Sequence, residues 1–198
     1  VMYTMRDIAI TELRNIDRIA FNPTGSSLAV LRPKKPIAIF SFRERNKKLF
    51  ELKDKRKGLK EKPLMLAMCY GSDARNFIAS NSLGEIIVYD TKAYLPQAYI
   101  KCSAPATALA LSSNNYFIAS AVGKNIVIWN FQTKELRTSL PMPAEVTELV
   151  FSADASQMAV VTADKRLTIF DTKTWDKVDI FDKIGGTLTS PSFHPDGK

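Results

Sequence analysis

The residues able to do chemistry are few, and their spacing does not suit catalysis. The single histidine, His194, stands in Ser192-Phe193-His194-Pro195-Asp196-Gly197 with no serine or cysteine in a recognisable order around it. Cys69 and Cys102 form no C-x-x-C pair and no disulfide framework, so both are expected to be free and partly buried. Asp171, Asp176, Asp179 and Asp182 are spread along outer strands and read as a solvated face, because a cation site needs carboxylates converging on one point. Gly185-Gly186 reads as a turn, since no strand-to-helix context follows to cradle a phosphate. The G-x-S-x-G elbow, the phosphate-binding P-loop, the dinucleotide fingerprint and H-E-x-x-H are all missing from the sequence. The expectation is a chain with no catalytic residue, no metal and no cofactor.

Charge is the informative chemistry. The 198 residues carry a formal +8, but the charge is local. Arg32 to Lys62 holds thirteen basic residues against four acidic ones, a net +9, and the remainder holds fifteen against sixteen, a net −1. Such a concentration suits an acidic protein or peptide, a nucleic acid or an anionic surface, and it also suits plain solvation. Against nucleic acid, the basic stretch offers only Phe40, Phe42 and Phe50 as aromatics, and strand alternation turns several of them inward and away from bases.

The elements that must position these cations repeat. Short runs end on similar tetrads at Ser27-Leu28-Ala29-Val30, Phe77-Ile78-Ala79-Ser80, Phe117-Ile118-Ala119-Ser120 and Gln157-Met158-Ala159-Val160. Aligned on alanine, the steps are 50, 40 and 40 residues. A second register follows each, at 37–41, 86–90, 126–130 and 167–171, and a third precedes each, at 19–23, 66–69, 109–112 and 149–152, returning at 192–197. Runs of five or six residues rich in Ile, Val and aromatics, bounded by Gly, Pro, Asn, Asp and Ser, are strands. More polar fourth strands fit 48–52, 97–102, 136–140 and 177–181, and no segment supports a helix of three turns. Four strands per roughly 40-residue repeat is the pattern of a β-propeller blade.

At this point the chain resembles the WD40 family. Tyr89-Asp90, Trp129-Asn130 and Phe170-Asp171 stand where that family ends its third strand on Trp-Asp, and Phe151-Ser152-Ala153-Asp154 and Phe193 to Gly197 resemble its Phe-Ser-Pro-Asp-Gly turn. With one histidine, the family's His-Asp-Ser/Thr-Trp network is complete in no blade, though Thr162 and Asp164 keep part of it in the fourth. The expected fold is all-β: an extra outer strand in 1–15, blades at 16–63, 64–103, 104–143 and 144–184, and the start of a fifth at 185–198. Four and a half blades do not close like a seven-bladed ring. A fragment of a chain of about 300 residues or more is therefore expected, or a short propeller completed by another chain.

Because strands alternate in direction, the connections after second and fourth strands share one face. That face gathers Arg32, Lys34, Lys35, Lys55, Arg56, Lys57 and Lys60 in the first repeat and Lys165 and Arg166 in the fourth. The resemblance implies that this face is a partner-binding surface. The expected function is a non-catalytic protein–protein interaction scaffold. The alternatives are a binder of RNA or another polyanion through the first blade, and a cell-envelope propeller. No apolar run approaches the ~20 residues of a membrane-spanning helix. The opening Val1 to Asp7 lacks a signal-peptide core, and a starting valine suggests a trimmed terminus. Free cysteines favour the cytoplasm; the bacterial periplasm or envelope is the alternative if a signal peptide was removed.

Overall fold

The computed structural model describes residues 15–42, 47–52, 62–182 and 185–194. They form four four-stranded antiparallel sheets, and no helix occurs among the described residues. The first sheet is β1 (Arg18–Phe21), β2 (Ser27–Leu31), β3 (Ile37–Ser41) and β4 (Lys47–Leu52). The second is β5 (Met65–Tyr70), β6 (Asn76–Asn81), β7 (Glu85–Asp90) and β8 (Pro96–Lys101). The third is β9 (Ala108–Leu111), β10 (Phe117–Val122), β11 (Asn125–Asn130) and β12 (Leu136–Pro141), and the fourth is β13 (Val146–Phe151), β14 (Gln157–Thr162), β15 (Arg166–Asp171) and β16 (Lys177–Phe181). The innermost strands stand side by side in the order β1, β5, β9, β13, so the sheets are blades set in a ring, as in a propeller. Arg18 on β1 pairs with Glu148 on β13 at 3.6 Å, joining the first inner strand to the fourth.

The turns explain why sequences this different give one blade. Between first and second strands a left-handed residue recurs at Gly25, Ala74, Asn115 and Ala155. Between second and third strands it recurs at Lys34, Gly84, Gly123 and Lys165. Between third and fourth strands it recurs at Tyr94, Lys134 and Trp175. A short polar side chain closes the loop in turns of the first and third kinds. Asn22 accepts from the Thr24 amide, Asp73 from Arg75 and Asp154 from Ser156. Asp90, Asn130 and Asp171, which end the third strands, accept from amides two or three residues on. These Asx-type turns give the acid of the Trp-Asp-like pair a local role: it holds the next hairpin.

The pleat then sorts side chains between neighbouring blades. Phe40, Tyr89, Trp129 and Phe170 occupy one register position; Tyr89, Trp129 and Phe170 are buried against the preceding blade, and the pairing slips just ahead of each of the four aromatics. Trp129 also donates its indole N–H to Ser120 at 3.0 Å, a part of the tryptophan network that survives without a histidine. In the fourth blade Thr162 donates to Asp164 at 2.5 Å.

One alignment needs correction. Ala29, Ala119 and Ala159 face Ile39, Ile128 and Ile169 across the pairing, but Val88, their equivalent in the second blade, pairs with Ile78. Ala79 is therefore one residue out of step, and a slip of one turns a side chain to the other face. It packs toward the first blade, whereas Ala119 packs toward the fourth.

Three apolar interfaces fill the gaps between blades, each mixing residues of two adjacent sheets. At one end of the first interface lies an aromatic group in which Tyr70 and Tyr94 share a hydroxyl hydrogen bond of 2.8 Å and Phe50, Phe77 and Tyr94 meet at 5.6–6.0 Å. Gly71 lets the second and third blades approach, since a Cβ there would meet the Leu111 side chain at 2.9 Å. Burial pushes the free thiols up, Cys69 to about 12 and Cys102 to about 11. The expected outer strand in 1–15 falls almost wholly outside the described residues, and residues 185–194 contain no strand.

Candidate functional site

The interfaces differ at their mouths, on the face that carries the second-to-third and fourth-to-first connections. Between the second and third blades, Cys102 and Ala106 of the β8–β9 connection fold into the apolar cluster. Between the third and fourth, Met142 of the β12–β13 connection does the same. Both plugs are tied down by their backbone, Cys102 N–H to the Gly84 carbonyl and Met142 N–H to the Lys124 carbonyl, each at 2.8 Å.

Between the first and second blades, the described residues outline a cleft of about 520 Å³, and the positions equivalent to these plugs lie outside the described residues. Its floor is Leu52 at the end of β4 with Ile87 and Tyr89 of β7, all of which the pleat turns into the interface. Its walls are Pro36 on one side and Pro63, Leu64 and Met65 on the other. Lys34 and Lys35 stand on the rim from the β2–β3 turn, and Lys62 faces them from the approach to β5. All three lysines are exposed, and no carboxylate lines the cleft among the described residues. Lys34 occupies the left-handed turn position, φ 58°, that the next two blades give to glycine. A lysine there is strained by about 1–2 kcal/mol.

The other predicted cations lie apart from this cleft. Arg32 precedes it, its carbonyl accepting the Lys35 amide to close the turn. Lys165 lines a second cleft of about 290 Å³ between the fourth blade and residues 187–189, in the company of Glu148 and four threonines. Arg166 forms an ion pair with Asp182. The structure therefore does not join Lys165 and Arg166 to Lys34 and Lys35 in one site. Lys55, Arg56, Lys57 and Lys60 lie outside the described residues, in the segment joining Leu52 to Lys62. Sequence reasoning missed the floor of Leu52, Ile87 and Tyr89, and also Lys62 and Leu64.

The acidic residues also find local roles. Asp154, held by hydroxyl and amide donors from Ser152 and Ser156, has its carboxyl lowered to about 2. The amides of Thr174 and Lys173 hold Asp171 below the usual carboxylate range. His194 is exposed. Among the described residues no three His, Cys, Asp or Glu side chains are grouped to hold a metal, and no helix is long and apolar enough to cross a membrane.

Over 80 residues the chain is 32% identical to the Periodic tryptophan protein 2 homolog of Dictyostelium discoideum. The match takes in 39% of this chain and 9% of that protein, so the chain spans only a small part of its relative. No family model matches the chain. The partial similarity and the ring of four-stranded sheets fit a WD40-like family.

Proposed function

We propose that this chain serves as a non-catalytic protein-interaction scaffold, and that its contact surface is the face bearing the cleft between the first and second blades. The observation that carries the reading is the cleft over Leu52, Ile87 and Tyr89, lined by Lys34, Lys35 and Lys62 with no carboxylate among the described lining residues. Paired sheets hold that floor rigid, so a partner meets a preformed surface and gives up little ordering free energy on the scaffold side. Cations on the rim add attraction and rate to such an encounter. Lys55, Arg56, Lys57 and Lys60 belong to the same proposal by sequence position. Similarity to a WD40-like family supports a scaffold over an enzyme as a matter of analogy.

The test is charge reversal. Lys34→Glu, Lys35→Glu and Lys62→Glu together should leave the circular dichroism spectrum unchanged and abolish capture of specific proteins from nuclease-treated native lysate, while Lys165→Glu leaves capture intact. Unchanged capture by the triple variant removes this face from the reading. If nuclease treatment alone abolishes capture, the polyanion alternative replaces it.

A further inference from the structure

We draw no further inference here: the strongest candidate, the exposed apolar patch of Val178, Ile180 and Phe181 on the outer strand of the fourth blade, rests on exposure alone, and nothing in the structure shows what covers it.

Discussion

The first and fourth blades share one geometry and differ in what they leave unfinished. At the position opposite the start of the third strand, the first blade has Leu52 and the fourth has Phe181. Leu52 is 7% exposed because the second blade covers it; Phe181 is 45% exposed. On the same face both blades present lysine at the left-handed turn position. In the fourth blade the neighbouring charges are answered, Arg166 by Asp182 and Glu148 by Arg18. In the first, no carboxylate lines the cleft of Lys34 and Lys35 among the described residues. At the position of Leu52 and Phe181, the first blade is covered by its neighbour and the fourth is exposed.

The largest effect that would test this contrast is in packing. Leu52→Ala should cost about 2–5 kcal/mol in urea unfolding, as buried leucines do, while Phe181→Ala should cost under about 1 kcal/mol. Equal losses would mean that Phe181 is covered in solution and would erase the difference. Next come the strained lysines. Lys34→Gly and Lys165→Gly should each raise stability by about 0.5–1 kcal/mol, since glycine accepts a positive φ without a Cβ clash. Only Lys34→Gly should also weaken partner capture, since Lys34 and not Lys165 lines the proposed contact cleft. A double-mutant cycle on Arg166 and Asp182 should then give a coupling of about 0.2–1 kcal/mol that fades in salt, the range for an ion pair with this much exposure.

The smallest effect is acid sensitivity. The fourth blade closes its first turn with Asp154, whose carboxyl is lowered to about 2, whereas the first blade uses Asn22, which does not titrate. A carboxyl lowered in the folded state contributes stability that is present above its unfolded value near 3.8 and is lost as pH falls through about 2. Amide resonances around Ser156 should therefore broaden before those around Thr24 as pH drops from 4 to 2, and Asp154→Asn should remove the lag. Simultaneous broadening would show that the turns do not titrate separately.

Much of the fold was legible because blade spacing survives changes of residue. The third-strand aromatics Phe40, Tyr89, Trp129 and Phe170 keep one register, and the turn residues keep step with them. Alignment on alanine failed in the second blade because Ala79 and Ile78 are both buried and both suit a strand, so composition did not tell the two faces apart. The cations of the site were legible as charge. Their separation was not, because Arg166 meets Asp182 through strand pairing that only the register reveals: Leu167 pairs with Phe181, which brings the next residues opposite. The apolar floor stayed hidden for a similar reason. Leu52, Ile87 and Tyr89 look like core in sequence, and only the cleft that the described residues outline makes them candidates for a site.

The buried thiols have a practical use. With Cys69 and Cys102 held far above neutral pH, the native chain offers almost no thiolate to a labelling reagent. A cysteine placed at Leu64 would stand alone as a reactive handle on the wall of the cleft. A dye attached there would report on the environment of the cleft, with the two native thiols reacting far more slowly.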